Sequence, residues 1–521
     1  MILNHIFHFV CITRFSIIGG FSFLILLLLS VAVSCFGTAL YLFTASPESQ
    51  YRHHVHRGDM ETRAHPSRIL VDVGGPYDSK AYKLDADKRY LAYLPHSGFH
   101  NQRIAFENAL VLARILNRTL LVPPVHLGSK TIHHLPFDSL QNFLMLSGKE
   151  GLMHCSSTQS DGLPPECLDF FESTRVSWNW LVDMTSIELD QPLLHPPNLD
   201  YPWFDLFLDN TLSNEIFALK DNGTYDFRYV DYDPSFAHAH PKYRIPIPIS
   251  SLANITARLI HLGTLFGSSR LHLTDPLHIA IRKFIREQMT FSNPILLEAA
   301  REAVSALGNA YLGAHVRVGD GIFQELGQQH ARTIWYNLVT RALGFNMKDA
   351  QIVEQRFGDP SMAFSEPPFL IPDAAAMRTP RPPHPPLPSS FKPCVPCHRP
   401  LHVEHELAPF NIPLFISTDA SDPHLSTILS LFHRSFPCTF FLSDLSSYAH
   451  SNWTLPALST LDSLVSAYDG VPLKSFLLPF LDAMIVSNAW DVVGTEGSTF
   501  SGFVQDILWR RYHGWEIVQR G

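Results

Sequence analysis

The string from Tyr311 to Asp320 combines an apolar run with residue types that bind phosphate. Residues 311–316 form the run, which carries His315, and Arg317 follows it directly. An arginine side chain presents a planar fork of donors that suits phosphate oxygens. In α/β proteins, ligands bind beyond the carboxyl ends of the strands. The pattern predicts a strand whose exit forms the floor of an anion site. An ion pair of Arg317 with Asp320 explains the same spacing equally well.

A second anion-binding pattern follows the short strand-like run 491–494. Ser498 and Thr499 come next, at the predicted start of a helix. Hydroxyl groups, free N–H groups and the helix dipole all favour an anion at such a position. Capping of the helix by Ser498 is the structural alternative. The helix is inferred from apolar residues spaced i, i+3, i+4, i+7 and i+8, which are Phe500, Phe503, Val504, Ile507 and Leu508.

Two further strand exits carry polar side chains. The run 413–417 is followed by Asp419, a candidate acceptor for a base or ribose and, alternatively, a helix cap. The run 90–94 is followed by a polar loop, 95–103, that contains Asn101. A carboxamide both donates and accepts hydrogen bonds, so this loop suits either ligand binding or ordinary helix capping.

The elements that position these loops follow from periodicity. Apolar residues after the loop recur with helical spacing until Asn117, and the run 119–123 predicts a second strand. This arrangement predicts a β-loop-α-β unit with its polar loop at the strand exit. A helical pattern over 277–307 leads into the central strand at 311–316.

The sequence patterns for a metal site are weaker than those for an anion site. Asp231 and Asp233 are the closest approach to a carboxylate pair, but they lie in the irregular stretch 130–243 and are interpreted as loop and cap residues. The string Cys394–His398 matches a c-type haem attachment pattern, although a local disulfide or free thiols fit its Pro-rich surroundings better. A zinc site there would need two further ligands, for which His402 and His405 are the available guesses. We therefore predict no metal. Cys155 and Cys167 flank a loop-like stretch and could form a disulfide in an oxidising compartment.

Composition sets the class of protein. The chain has 521 residues, of which 46% are hydrophobic and 17% charged, as is typical of a globular protein with two to three domains. A net charge of −9 provides no basic surface, so nucleic acid is excluded as an expected partner.

An uncharged apolar segment near the amino terminus predicts a membrane anchor. Its length exceeds that of a secretory signal and matches a bilayer-spanning helix. Sequons begin at Asn117, Asn222, Asn254 and Asn452, all beyond this segment, and favour a lumenal domain, whereas arginines after the segment argue for the opposite orientation. We expect a single-pass type II protein of the Golgi or endoplasmic reticulum membrane. The predicted organisation is a tail (1–15), an anchor (16–44), a stem (45–68), a first α/β domain (69–307) with an irregular insert, and a second (308–521) with a Pro-rich insert at 378–409.

Taken together, these strings resemble the GDP-fucose protein O-fucosyltransferase family. The resemblance rests on 98–102 with 117–124, on 315–320, on 417–419 and on 498–501, which occur in the family's order. It implies a GT-B architecture, in which two Rossmann-like domains face each other across a cleft. It also implies inverting transfer of fucose from GDP-fucose to an acceptor hydroxyl, expected on Ser or Thr of a secretory protein, without a metal cofactor.

The resemblance also implies roles for individual residues. Arg317 would hold the β-phosphate and stabilise the leaving group. Six residues would bind the donor: Asn101, His315, Asp419, Ser498, Thr499 and Phe500. No residue is assigned as the general base, because Glu107 lies within a helix where a solvated salt bridge is the expected role.

Two alternatives remain at this point. The transferase could act on glycans or use another deoxysugar, or the chain could be a membrane-anchored protein that binds a nucleotide sugar or carbohydrate without catalysis. We also expect that the Pro-dense segment 379–407 buries little surface and can be removed without loss of the fold.

Overall fold

Two parallel β-sheets organise the chain. The computed structural model describes residues 68–71, 87–128, 132–149, 151–157, 163–196, 215–233, 241–308, 310–358, 366–368, 370, 379, 386–387, 393–448 and 455–520. The strands are β1 (Ile69–Val71), β2 (Tyr90–Tyr93), β3 (Thr119–Leu121), β4 (Val125–Gly128), β5 (Ser173–Val176), β6 (Leu193–Leu194), β7 (Ile216–Leu219), β8 (Phe227–Val230), β9 (Ile245–Pro248), β10 (Leu259–Leu262), β11 (Leu271–His272), β12 (Leu312–Val316), β13 (Leu414–Thr418), β14 (Thr439–Phe440), β15 (Leu464–Ser466) and β16 (Asp491–Gly494).

Helices connect and cover these strands. They are α1 (Phe99–Ile115), α2 (Phe137–Leu146), α3 (Trp178–Leu181), α4 (Thr185–Asp190), α5 (Ile249–Ala253), α6 (Pro276–Gln288), α7 (Pro294–Ala306), α8 (Gly321–Glu325), α9 (Gly327–Asn337), α10 (Met347–Phe357), α11 (Ser430–Ser435), α12 (Leu442–Tyr448), α13 (Pro456–Thr460), α14 (Lys474–Ser487), α15 (Thr499–Phe503) and α16 (Trp509–Tyr512). Leu338–Ala342 and Val504–Leu508 are π-helical continuations of α9 and α15.

The first sheet has the order β6-β3-β2-β10-β7, and every pair in it is parallel. Its centre is β2, α1 and β3, the predicted β-loop-α-β unit. The helix starts earlier than predicted, at Phe99, so Asn101 lies in its first turn rather than in a loop. It ends as predicted, because Asn117 adopts a positive φ of 49°, a conformation that asparagine tolerates after a helix.

The second sheet has the order β14-β13-β12-β16 and is also entirely parallel. Alternate residues of β12 and β13 face α9–α11, and their neighbours face α14, so the sheet is covered on both sides. Gly313 in β12 is required by this packing, because a Cβ there would lie 2.7 Å from the carbonyl oxygen of Val486 in α14. The α/β class is confirmed by these two sheets.

A single hydrophobic cluster joins the two halves of the chain. Phe106 and Ile260 of the first half belong to the same buried cluster as Leu481, Val492 and Trp509 of the second. Strand β1 also pairs with β15, near the other end of the sequence. Residues 66–521 accordingly form one compact unit, within which the predicted boundary at 307/308 separates the two sheets in sequence.

The described residues form two disulfides. The predicted Cys155–Cys167 bond is formed. Of the two alternatives left open for Cys394 and Cys397, the local disulfide is not formed, because Cys397 pairs with Cys438, immediately before β14. Cys394 is exposed and belongs to neither bond.

The Pro-rich insert is anchored more firmly than its composition predicts. Val395 and Leu407 are buried, and Arg356 forms a two-bond ion pair with Glu404 at 2.6 Å. Most of the described residues between 393 and 407 are nevertheless exposed, and the removal of the segment without loss of the fold stays a prediction. Proline content predicts an extended backbone but does not reveal the apolar side chains placed between the prolines.

The remaining predictions concern the capping role of Asp231 and the membrane anchor. Asp231 accepts hydrogen bonds from the backbone of Thr274 and Asp275 at 2.8–3.0 Å, which confirms its interpretation as a cap residue. The predicted anchor at 16–44 lies outside the described residues. Among those that the structure describes, no helix combines the length and apolar character needed to cross a membrane.

Candidate functional site

The carboxyl ends of three neighbouring strands bring the predicted residues together. In the register of the second sheet, Val316 of β12 lies opposite Thr418 of β13, and His315 lies opposite Gly494 of β16. The residues that leave these strands next are Arg317, Asp419 and Thr495. Because the strands are parallel and end at the same level, these three side chains meet at one edge of the sheet.

Arg317 forms the ion pair that the sequence left open. Its guanidinium donates to both carboxylate oxygens of Asp320 at 2.9–3.2 Å and lies 4.9 Å from the ring centre of Phe323. Its side chain is 28% exposed and that of Asp320 is 68% exposed. A pair this accessible to water contributes little to stability, of order 0–1 kcal/mol, so an anionic ligand could replace Asp320 at low cost.

Asp419 holds the loop that carries Arg317. It accepts a hydrogen bond of 2.7 Å from the backbone N–H of Val318, and its other oxygen lies 3.8 Å from Arg317 Nε. A Cβ at position 319 would lie 2.7 Å from that same oxygen, which explains the glycine there. In this structure Asp419 organises the backbone and is exposed on its outer side.

The loop after β16 is tied to β12 by Thr495. Its hydroxyl accepts from the N–H of Arg317 at 2.9 Å and donates to the carbonyl of His315 at 3.1 Å. Ser498 caps α15, because its hydroxyl accepts from the N–H of Ser501 at 3.4 Å. Ser498 therefore has the helix-capping role that was the alternative to anion binding. The hydroxyl of Thr499 lies in the first turn of the same helix.

His315 and Phe500 form a buried stack. Their ring centres are 4.2 Å apart with an interplanar angle of 21°, and His315 Nδ1 lies 2.6 Å from Ser501 Oγ. Burial, with a smaller contribution from Arg317, lowers the pKa of His315 to about 3. The ring is neutral at physiological pH and positions Phe500 from beneath.

The first turn of α1 reaches this stack from the other half of the chain. His100 lies 4.8 Å from the ring centre of Phe500 and 5.0 Å from that of Phe503. Its neighbour Asn101 has a buried Oδ1 with no hydrogen-bond partner among the described residues. Asn101 therefore lies close to the edge of the second sheet, with an acceptor available for a ligand.

A cavity of about 240 Å³ lies between α1 and the segment 495–507. It is lined by Ser498 and Thr499 together with three arginines that the sequence did not single out: Arg103, Arg286 and Arg520. Arg317, Asp419 and Phe500 do not line it. Thr495 does, and it links the cavity to Arg317 through the hydrogen bond described above.

Two of these arginines are held by one buried carboxylate, whereas Arg520 pairs with Asp506. Glu107 of α1 contacts Arg103 at 3.0 Å and Arg286 of α6 at 2.5 Å. Burial alone would raise the pKa of Glu107, but the two arginines lower it below its ordinary value. The expected solvated salt bridge is thus a buried one. Arg103 and Glu107 are four residues apart, a spacing that brings two side chains together on one helix. No pattern in the sequence pointed to Arg286, which lies in a different helix.

Fold and site together define an α/β protein whose parallel strands end in a cluster of arginine, hydroxyl and aromatic side chains. Residues 90–146, which contain β2, α1 and β3, match the family model described as GDP-fucose protein O-fucosyltransferase. A segment of 63 residues is 44% identical to O-fucosyltransferase 30 of Arabidopsis thaliana, and the match covers 12% of each chain. Residues 90–146 are therefore similar to the family that the motifs resemble, and the chain matches 12% of the length of this relative.

Two solved structures align with most of this chain at low similarity. An apo form of POFUT1 aligns with a TM-score of 0.33 and 10% identity, over 84% of this chain and 100% of that one. POFUT1 in complex with GDP-fucose aligns with a TM-score of 0.29 and 10% identity, over 79% of this chain and 99% of that one.

Proposed function

We propose that this chain is an inverting O-fucosyltransferase with a GT-B architecture that transfers fucose from GDP-fucose to an acceptor hydroxyl, on Ser or Thr of a secretory protein. The observation that carries this proposal is the meeting of Arg317, Asp419 and Thr495 at the ends of three adjacent parallel strands. The family match lies in the first half of the chain, and this cluster lies in the second, so the two supports are independent.

The proposed chemistry follows from what these groups can do. The acceptor oxygen attacks the anomeric carbon and its proton passes to water, while the bond from that carbon to the β-phosphate oxygen breaks and the electron pair leaves with GDP. Negative charge grows on the diphosphate as this bond breaks. Arg317 can exchange Asp320 for two phosphate oxygens, and preorganised donors of this kind lower the barrier. Ser498 and Thr499 offer hydroxyl groups at the start of α15, whereas the hydroxyl of Thr495 is already bonded to Arg317 and His315.

The donor's remaining groups have candidate partners as well. Asp419, exposed on its outer side, can accept from a base or ribose, and Asn101 can position the donor from the first half of the chain. His315 supports Phe500 and is proposed to act through that ring. We propose that no metal takes part in this transfer.

We further propose that the protein is a single-pass type II protein of the Golgi or endoplasmic reticulum membrane with a lumenal catalytic part. Two observations support the lumenal location. The disulfides Cys155–Cys167 and Cys397–Cys438 suit an oxidising compartment. The asparagines of three sequons are exposed, as glycan attachment requires, and these are Asn117, Asn222 and Asn254.

The decisive experiment compares Arg317→Ala and Arg317→Lys with the unchanged chain. Purified protein is incubated with GDP-fucose and, separately, with GDP-mannose and UDP-sugars, and nucleotide release and thermal stability are measured. We expect release from GDP-fucose alone, reduced about 10²–10³-fold in Arg317→Ala without loss of thermal stability. Lysine should rescue poorly because it is a point charge and cannot bind two oxygens in one plane.

Arg301→Ala is the matched control, because Arg301 also forms an exposed ion pair, with Glu298, three residues away in α7. It should leave both rate and stability unchanged. Near wild-type release by Arg317→Ala, or unfolding of that variant, would show that Arg317 is structural and that the catalytic assignment is wrong.

A further inference from the structure

Three side chains from three separate segments converge on one point beside β14. His398 lies near the end of the Pro-rich insert, His424 in the segment after β13, and Asp444 in the first turn of α12. His398 Nε2 lies 3.4 Å from one oxygen of Asp444, and His424 Nε2 lies 2.9 Å from the other. All the ligand atoms of this trio lie within 4.8 Å of one another.

These distances match the spacing of ligands around a metal ion. Imidazole nitrogens and carboxylate oxygens bind Zn²⁺ at about 2.0–2.2 Å in a tetrahedral shell, which separates neighbouring ligand atoms by about 3.4 Å. The His398 and His424 side chains are 44% and 38% exposed. Both rings can therefore make the small rotations needed to direct their nitrogen atoms at a bound ion. Two imidazoles and one carboxylate form the ligand set of three that leaves a fourth position for water.

The surrounding structure holds the ligands in place. Asp444 Oδ2 accepts a hydrogen bond of 2.8 Å from the N–H of Phe441, which orients the carboxylate. The His424 ring packs against Phe441 with centres 4.8 Å apart. The Cys397–Cys438 disulfide places His398 next to β14. Such contacts behind a ligand fix its orientation and raise metal affinity.

Among the residues described in this region, no other ligand set of three forms. Cys397 is oxidised in its disulfide and offers no thiolate. His402, one of the two guesses from the sequence, is directed elsewhere, with Nε2 2.9 Å from the carbonyl of Ser435. Within the described residues a second trio brings His154 close to Cys155 and Cys167, but those cysteines are also joined in a disulfide.

We propose that His398, His424 and Asp444 bind a divalent transition metal, Zn²⁺ in the first instance, which ties the Pro-rich insert to the sheet. Imidazole-rich sites favour Zn²⁺ over Mg²⁺ or Ca²⁺, which prefer sites built from oxygen ligands alone. The metal's expected effect is on stability, because it joins three segments that are distant in sequence. The proposed transfer at Arg317 takes no step through it. The site stands independently of the transferase proposal.

The test is a Zn²⁺ titration of the metal-free full chain against a chromophoric chelator, with Co²⁺ substitution as a second readout. We expect one tight equivalent and a rise in thermal stability on adding Zn²⁺. His398→Gln and His424→Gln should each weaken binding by at least about tenfold. They should also abolish both the rise in stability and the visible absorption of four-coordinate Co²⁺. Without metal, their thermal stability should equal that of the unchanged chain.

His405→Gln is the control, because His405 is an exposed histidine of the same insert. It should bind Zn²⁺ as tightly as the unchanged chain. The proposal is overturned if the unchanged chain lacks a tight equivalent. It is also overturned if His405→Gln weakens binding as much as the other two variants do, since that would indicate adsorption by scattered histidines.

Discussion

Asp482 of α14 places a carboxyl group against the hydroxyl of Ser417 in β13, at 3.0 Å. Burial raises the pKa of Asp482 to about 7, and the hydrogen bond from Ser417 offsets this only in part. In an unfolded chain the pKa of an aspartate is about 3.9. The folded state therefore binds more protons than the unfolded state between these two values, so the free energy of unfolding falls as pH rises through this window.

From this we predict that Asp482→Asn stabilises the protein above about pH 7, by on the order of 4 kcal/mol, and has little effect near pH 4. An amide stays neutral and still accepts from Ser417. Urea unfolding of both proteins between pH 4 and 8 measures the difference. Asp462→Asn is the control, since Asp462 is 55% exposed and pairs with Lys474 on the surface. Parallel pH profiles for Asp482→Asn and the unchanged chain would contradict the prediction.

Among single residues, the sequence predicted those that leave strands and missed those that reach the site from helix interiors. Arg317 and Asp419 follow apolar runs directly, so the exit of a predicted strand locates them. Arg286 belongs to an ordinary amphipathic helix, and only the packing of α6 against α1 brings it to the cavity. Its role depends on a tertiary contact that periodicity does not encode. The functional roles of the predicted site residues remain predictions.

At the scale of elements, α1 is held by the buried Glu107 and its two arginine partners. Arg286 also donates to the carbonyl groups of Val518 and Arg520 at 3.3–3.4 Å. The contacts around this single carboxylate therefore join α1, α6 and the segment after α16. Removing it leaves two buried guanidinium groups without a counter-charge.

We predict that Glu107→Ala lowers the free energy of unfolding by about 3–5 kcal/mol, the cost of breaking a buried ion pair. Equilibrium urea denaturation at pH 7 provides the measurement. Glu298→Ala, which breaks the exposed pair with Arg301, should cost less than about 1 kcal/mol. Equal losses in the two variants would show that the environment of Glu107 is as solvated as its sequence suggested.

Element boundaries were predictable where a local signal marks them. Asn117 ended α1 as predicted, whereas the start of α1 was misplaced because Gly98 precedes the helix without a side-chain cap. The single helical pattern over 277–307 is two helices, α6 and α7. Asn293 caps α7 through its side chain, and Pro294 is the first residue of that helix. The spacing of apolar residues alone does not reveal this break between α6 and α7.

For the molecule as a whole, the Cys397–Cys438 disulfide fixes the Pro-rich insert to the second sheet. The two cysteines are 41 residues apart in sequence, so the bond closes a long loop. A cross-link of this length stabilises mainly by restricting the unfolded chain.

We predict that Cys397→Ser lowers the free energy of unfolding by roughly 2–4 kcal/mol. Cys394→Ser should have no effect, because Cys394 belongs to neither disulfide. Denaturation without reductant compares the three proteins directly. A comparable loss in Cys394→Ser would mean that the pairing of these cysteines differs from the one described.

The organisation of the whole chain was predicted in part. Alternating strands and helices indicated the α/β class, because each β-α-β unit is encoded over a few tens of residues. The shared core was not indicated, since the contact of Phe106 with the cluster of Trp509 joins residues about 400 positions apart. The Cys397–Cys438 pairing depends on the same kind of distant contact.

The pairing of β1 with β15 requires a delay between the synthesis of the first strand and that of its partner. Leu70 leaves the ribosome about 400 residues before Val465, its partner in the register of the two strands. At roughly 5–20 residues per second, β1 waits about 20–80 s for that partner to be made. During this interval the apolar faces of α1 and β2 also lack the later residues that cover them. Because the shared core includes Trp509, it can be completed only after that residue has been made.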